Sequence, residues 1–141
     1  MSSRKKPPVF EIVLFALCAV YFIGALSFLS PCGPKEDGSF MTCHWAGQAL
    51  RGVSCLMAVV AALALATRND AARRGLVTAL IPAGALTAAL PGRLIGLCVM
   101  NSMTCQAVTR PAALVFGLLI AALALADALR LARAERQATA R

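Results

Sequence analysis

Four long apolar runs divide the chain, and short polar or charged segments separate them. The runs cover about residues 9–29, 47–67, 76–97 and 111–129. A helix of roughly 20 apolar residues crosses the ~30 Å of hydrocarbon in a bilayer, so each run is long enough to span it. The pattern therefore predicts an all-α fold, an integral membrane four-helix bundle.

The third run contains two prolines, Pro82 and Pro91. A membrane helix tolerates proline where neighbouring groups satisfy the carbonyl that loses its partner. We therefore interpret the run as one span and expect a kink near Pro82 or Pro91.

The basic residues predict the orientation. Ten of the fourteen lie before the first run, between the second and third, or after the fourth. Cytoplasmic segments hold the Lys/Arg excess, so both termini are expected inside. Residues 1–8 and 131–141 then form basic cytoplasmic ends around a membrane domain at 9–130. The expected location is the plasma membrane, as a multi-pass protein of the bacterial inner membrane.

Composition narrows the class of partner. Only 14% of the residues are charged, against about 25% in a soluble domain. The net charge of +8 lies in short clusters between apolar runs. The expected partner is the lipid bilayer, with a membrane protein or a second copy of the chain, and not nucleic acid.

The chain also contains an internal repeat. Residues 41–43 and 103–105 both read Met-Thr-Cys, 62 residues apart, and another cysteine precedes each triplet. The spacing predicts two helix-hairpin pseudo-repeats whose axis lies along the membrane normal. Thr42 and Thr104 are the expected N-caps of the second and fourth helices.

Four of the six cysteines are expected outside, where an oxidising compartment and an even count indicate disulfides. These disulfide candidates are Cys32, Cys43, Cys98 and Cys105. Pairing within each hairpin and a cross-loop arrangement both fit. Neither the spacing of Cys32 and Cys43 nor that of Cys98 and Cys105 is the Cys-x-x-Cys of thioredoxin-like sites. Cys18 and Cys55 fall inside helices and receive no role.

A soft-metal site is a competing interpretation of the same loops. Thiolate, thioether and imidazole ligands suit Cu(I). The candidate ligands are Met41, Cys43, His44, Met100, Met103 and Cys105.

Polar residues also form one line along the second helix. His44, Gln48, Arg51 and Cys55 follow the helical spacing of a single face. An arginine below the interface either snorkels, pairs or lines a wet cavity, and we expect Arg51 to face the bundle. A candidate ligand or anion site comprises His44, Gln48, Arg51, Arg93 and Arg110.

Two acidic residues lie at the inner ends of the runs. Asp127 and Arg130 form an i, i+3 pair, and Glu11 lies near Lys5 and Lys6. Both are interpreted as local charge balance.

Several of these residues together resemble a known family. They are Cys32-Gly33, the run from Met41 to Trp45, Cys98, and Met103-Thr104-Cys105. The chain is similar to the uncharacterised prokaryotic four-helix membrane proteins of domain-of-unknown-function family 4418, over about residues 9–130. The resemblance implies the four-span topology and an association with efflux-type ABC transporter permeases. It implies no reaction.

The sequence contains no nucleophile–base pair, paired carboxylates or phosphate loop. The expected function is therefore a small non-enzymatic accessory or assembly membrane protein with disulfide-stapled outer loops and no cofactor. Two alternatives are soft-metal sensing or transport, and a membrane thiol-disulfide oxidoreductase.

Overall fold

The computed structural model describes residues 9–27, 36–97 and 105–140. Within these ranges the helices are α1 (Val9–Leu26), α2 (Thr42–Ala66), α3 (Asp70–Ala89) and α4 (Arg110–Thr139). A kinked segment, Leu90–Leu94, follows α3 and has non-helical backbone at Pro91 and Gly92. A π-helical turn, Cys105–Thr109, precedes α4. Each helix packs against its sequence neighbour, and α1 also contacts α4, so the four helices close into a bundle.

All four helices of the described chain are long and apolar enough to cross a membrane. This confirms the four-helix membrane bundle. We call the end that carries residues 9–11, 67–74 and 127–140 the inner end, and the opposite end the outer end. α4 has 30 residues, about 45 Å of helix, so its last turns extend past the hydrocarbon layer.

The helix starts differ in how they are capped. Asn69 is the N-cap of α3, and its side-chain oxygen accepts hydrogen bonds from the N–H groups of Ala71 and Ala72. The N-cap position of α2 is Met41, without a side-chain cap bond, and Thr42 is already helical. The expectation that Thr42 caps α2 is therefore wrong, and Thr104 lies outside the described residues.

The kink expected in the third span occurs at Pro91. Pro82 remains inside α3, whereas Pro91 has ψ 117° and Gly92 has φ 90°. The Gly92 backbone is in the left-handed region, which a side chain would strain. The Arg110 side chain lies beside it, with Nε 3.5 Å from where a Cβ would be.

The core runs along the bundle axis and draws on all four helices. Its fully buried members are Leu14, Cys18, Tyr21, Met57, Ala61, Ala64, Val77, Leu80, Ile120 and Ala124. Apolar residues spaced three or four apart place one side of each helix inward.

Burial repeats at an interval of 63 residues. In the first and third helices, Leu14 and Tyr21 correspond to Val77 and Gly84, all four buried. In α2 and α4 the matched buried pairs are Leu50/Ala113, Ser54/Gly117, Met57/Ile120, Ala61/Ala124 and Ala64/Asp127. The Met-Thr-Cys repeat has an interval of 62. The π-helical turn before α4 accommodates one extra residue, which accounts for the shift.

Candidate functional site

Arg51 anchors the polar line at the outer end. It is half-buried, and its Nε donates a hydrogen bond to the carbonyl of Ala25 at 3.2 Å. Ala25 lies in the last turn of α1, where carbonyls lack an intrahelical partner. The side chain therefore turns toward α1 and not to lipid, as its position on the helix predicts.

Three other members of the predicted anion site lie at the surface of the bundle. Gln48, Arg93 and Arg110 are exposed. Arg110 donates to the Gln106 amide oxygen at 3.4 Å. Arg51 thus contacts the first hairpin, whereas Arg110 lies against the second, and a shared anion site stays a prediction.

His44 belongs to an aromatic group at the outer end. Its ring stacks on Phe40 at 4.3 Å and meets Trp45 edge-on at 5.7 Å. Trp45 is 60% exposed. Exposed aromatic rings beside polar groups are typical of the membrane–water interface.

The segment before α2 is a polar turn. The Ser39 hydroxyl and N–H both donate to the Asp37 carboxylate, at 2.7 and 3.1 Å. These hydrogen bonds hold the pKa of Asp37 below its usual value. The turn therefore keeps its charge and suits an aqueous loop.

Cys43 and Cys105 occupy matching places at the outer end. Each is 1% exposed, Cys43 in the first turn of α2 and Cys105 in the π-helical turn before α4. No disulfide distance is found among the described cysteines. Cys32 and Cys98 lie outside the described residues, so the stapled pairs stay a prediction.

The predicted soft-metal ligands are only partly within the described chain. Met41, Cys43 and His44 are adjacent at the start of α2. Met100 and Met103 lie outside the described ranges. Within those ranges, no group of three His, Cys, Asp or Glu side chains is placed to hold a metal ion.

A second polar cluster lies at the inner end and begins with Glu11. This residue is in the first turn of α1 and is 5% exposed. Its carboxylate lies 3.6 Å from Nη1 of Arg73 on α3. The same guanidinium donates to the Thr67 carbonyl at 3.0 Å and lies 3.7 Å from Asp70. Arg73 therefore connects α1 to the α2–α3 turn.

Asp127 on α4 completes this cluster. It is 2% exposed, and its Oδ1 lies 3.4 Å from Nη1 of Arg130. The Arg130 guanidinium also lies over the Phe10 ring of α1, 4.1 Å from its centroid. We call Glu11, Arg73, Asp127 and Arg130 the inner cluster.

Local charge balance, as predicted for Glu11 and Asp127, does not account for their burial. Arg73, from another helix, is the ionic partner of Glu11 in the described chain, and Lys5 and Lys6 lie outside it. The pattern contains a usable signal. Glu11 precedes Leu14 and Cys18, and Asp127 follows Ile120 and Ala124, at the spacing of a buried helix face.

Two atoms of the inner cluster are buried without a hydrogen-bond partner. They are Oδ2 of Asp127 and Nε of Arg73. One is an acceptor and the other a donor. Buried polar atoms are nearly always paired, so these two atoms require a specific explanation.

These features define the class of protein as a multi-pass four-helix membrane protein with a polar cluster at each end of an apolar core. The chain belongs to the family described as "Domain of unknown function (DUF4418)", whose sequence model matches residues 13–129. This confirms the resemblance. No curated protein and no solved structure matches the chain.

Proposed function

We propose that the chain is a small non-enzymatic accessory or assembly protein of the bacterial plasma membrane. Its outer loops are stapled by disulfides, and it partners a larger membrane protein, with an ABC-type transporter as the expected partner. The observation that supports this proposal most is the packing of the bundle centre.

The centre of the bundle is filled with apolar side chains and close backbone. Tyr21, Met57 and Ile120 are each at most 1% exposed. Gly84 and Gly117 bring α3 and α4 so close that a Cβ on either would lie 2.6 Å from the other's carbonyl oxygen. Transporters bind substrate in polar cavities near the bilayer midplane. A tightly packed centre favours a scaffold over a carrier.

The outer faces of the helices suit contact with lipid or a partner. Large apolar residues are more than half exposed on three helices, for example Val20 on α1, Leu56 on α2 and Val115 on α4. Without a hydrophobic drive between helices in lipid, association depends on packing and polar contacts. A partner is therefore expected on one face, with lipid on the others.

Photo-cross-linking in native membranes tests the partner. A photoreactive residue placed at position 20, 56 or 115 in turn samples three faces, and position 120, which is fully buried, is the matched control. We expect one face to give a discrete protein adduct that the control lacks. Deleting this protein should then lower the amount of that partner in the membrane. Lipid adducts alone at all three faces would contradict the proposal.

Thiol labelling tests the staples. Under denaturing, non-reducing conditions we expect label only on Cys18 and Cys55. A label on four or more cysteines would refute the staples, and the soft-metal alternative is then examined by Cu(I) titration against a competing chelator. Reversible exchange with a substrate disulfide, in which two of these thiols become a disulfide and the substrate is reduced to a dithiol, would favour the oxidoreductase.

Reporter fusions test the orientation. Reporters after residue 141 and within residues 69–74 should read cytoplasmic, and one near Gly38 should read external. A cytoplasmic reading at Gly38 would overturn the proposed topology.

A further inference from the structure

We propose that the inner ends of α3 and α4 form a binding site for the headgroup of an anionic phospholipid, whose phosphate group contacts Arg133 and Arg136. The ligand is a lipid of the adjacent leaflet and not a soluble anion. This inference does not depend on the proposed accessory function.

The two arginines continue the outward face of α4. The exposed apolar residues of this face are Leu118, Ala122, Leu125 and Leu129. Steps of three or four residues keep positions on one face of a helix, and two further steps from Leu129 reach Arg133 and Arg136, both exposed. The same face therefore presents apolar side chains along the bundle and then two positive charges beyond them.

Both arginines lie at the depth of the lipid headgroups. Leu129 is the last large apolar residue exposed on α4, and at 1.5 Å per residue Arg133 is about 6 Å and Arg136 about 10 Å further along the axis. The headgroup layer on each side of the hydrocarbon is roughly 5–7 Å thick. Helical side chains tilt toward the N-terminus of their helix, and α4 begins at the outer end. Both side chains therefore lean back toward the lipid phosphates.

Neither Arg133 nor Arg136 has a side-chain partner among the described residues. By contrast, three other arginines at the inner end contact carboxylates, namely Arg73, Arg74 and Arg130. Two unpaired positive charges therefore lie one helical turn apart on the outward face of α4. Guanidinium groups suit phosphate because their planar N–H donors match the geometry of its oxygens.

A groove beside Arg136 gives the headgroup a place to lie. Its volume is about 430 Å³, and its lining residues are Arg74, Ala132, Glu135, Arg136, Thr139 and Ala140. Each helix supplies one guanidinium, Arg136 from α4 and Arg74 from α3, and Glu135 forms an ion pair with the latter. Basic pockets between membrane helices at the cytoplasmic side are typical binding sites of anionic headgroups.

Glu135 limits the positive charge of this site. Its carboxylate offsets Arg74, so the charges of Arg133 and Arg136 are left in excess. An excess of positive charge attracts an anionic lipid more than a zwitterionic one. Removal of the Glu135 carboxylate should therefore strengthen the binding of an anionic lipid.

Native mass spectrometry of the full chain in detergent tests the site. The protein is titrated with phosphatidylglycerol, which is anionic, and with zwitterionic phosphatidylcholine of the same acyl chains. We expect the wild type to prefer phosphatidylglycerol. Its affinity for this lipid should fall about fivefold in Arg133→Gln and again in Arg136→Gln, and rise in Glu135→Gln. Equal binding of the two lipids by the wild type, or unchanged binding in the double variant, would overturn the proposal.

Arg68→Gln is the matched control. Arg68 is exposed at the same end, in the turn before α3, and does not line the groove. The substitution removes one positive charge, as Arg136→Gln does, but charges are screened over about 8 Å at 0.15 M salt. We therefore expect the affinity for phosphatidylglycerol to fall less than twofold. Equal losses in Arg68→Gln and Arg136→Gln would mean general electrostatic attraction without a site.

Thermal unfolding in the same detergent separates lost binding from lost folding. Without phospholipid, the variants of these exposed arginines should have the Tm of the wild type. Added phosphatidylglycerol should raise the Tm of the wild type, because a ligand of the folded state stabilises it, and should raise that of the double variant much less. An equal rise in both proteins would contradict the site. Inorganic phosphate that raised the Tm as much as the lipid at the same concentration would show that the ligand is a soluble anion.

Discussion

The two hairpins bury the same positions but fill them with different side chains. At matched positions 63 residues apart, α1 has Tyr21 where α3 has Gly84, and α2 has Ser54 where α4 has Gly117. As a result α3 and α4 make the most extensive helix contact in the described chain. The repeat therefore preserves which residues are buried, whereas residue size decides how closely the helices approach.

The largest loss of stability is expected from adding a side chain at the close glycine contact of the second hairpin. In Gly84→Ala or Gly117→Ala, the new Cβ would lie 2.6 Å from a backbone oxygen. Because backbone cannot rotate away as a side chain does, the helices must separate. We expect the free energy of unfolding to fall by about 3 kcal/mol, in the upper part of the range for overpacking. Denaturation in mixed detergent micelles measures this change.

Two further glycines serve as controls, one in the first hairpin and one in α3 itself. A Cβ on Gly52 of α2 or Gly75 of α3 meets nothing within 4 Å. Glycine inside a helix is less favourable than alanine by about 0.5–1 kcal/mol, so Gly52→Ala and Gly75→Ala should be neutral or stabilising. If all four variants behaved alike, close packing would not distinguish the hairpins.

The next largest loss of stability is expected at Tyr21, which occupies the position in α1 that Gly84 occupies in α3. The Tyr21 ring stacks on Phe116 of α4 at 5.2 Å and is almost fully buried. Tyr21→Ala leaves a cavity between α1 and α4, and we expect a loss of about 2–3 kcal/mol, below the usual value for an aromatic residue because lipid also solvates apolar groups.

Tyr21→Phe keeps the ring and should lose much less stability than Tyr21→Ala. Equal losses for Tyr21→Phe and Tyr21→Ala would mean that the hydroxyl group, not ring packing, stabilises the first hairpin. Tm measurements in one detergent are sufficient for this comparison.

The sequence predicts the spans better than it predicts their contacts. Run length alone identifies four helices. The break near Pro91 is consistent with the hydrogen bond that proline removes and the clash of its ring with the preceding turn, although Pro82 remains inside α3. The direction of Arg51 follows from helical spacing. The Gly84–Gly117 contact is not predictable in this way, because α3 contains several small residues and the crossing geometry selects one of them.

The contacts of the inner cluster are also only partly predictable from the sequence. The spacing of Asp127 and Arg130 predicts their pairing but not their burial. Glu11 and Arg73 are 62 residues apart, and their contact depends on how α1 packs against α2 and α4. A polar residue at a core position of an apolar helix is the feature of the sequence that indicates such a buried cluster.

A smaller effect is expected at the outer end, where the hairpins use arginine differently. Arg51→Leu removes the hydrogen bond to the α1 carbonyl, and we expect a loss of about 1.5 kcal/mol, at the low end for hydrogen bonds to charged groups. Arg51→Lys should be milder. The comparison substitution in the second hairpin, Arg110→Leu, affects an exposed side chain whose hydrogen bond to Gln106 is long and should change stability by less than about 0.5 kcal/mol.

Either of two results would contradict this view of the arginines. If Arg51→Leu were neutral, the contact with Ala25 would not stabilise the first hairpin. If Arg110→Leu were as damaging as Arg51→Leu, the exposed arginine would have a role that its surroundings do not explain. Both are read from the same denaturation curves.

The smallest expected effect separates the capped start of α3 from the uncapped start of α2. Asn69 accepts hydrogen bonds from two N–H groups in the first turn of α3. Those groups have no partner within the helix, so Asn69→Ala should lower the free energy of unfolding by about 1 kcal/mol. Asn69→Gly should restore most of it, because glycine is nearly as favourable at an N-cap as the polar residues are. Met41 forms no side-chain cap bond, so Met41→Ala should not show the loss expected of Asn69→Ala. Equal losses in Asn69→Ala and Asn69→Gly would mean that Asn69 acts through a contact other than its cap. Hydrogen exchange at Ala71 and Ala72 locates the effect, since protection at these two amides should fall in Asn69→Ala while that of α2 stays unchanged.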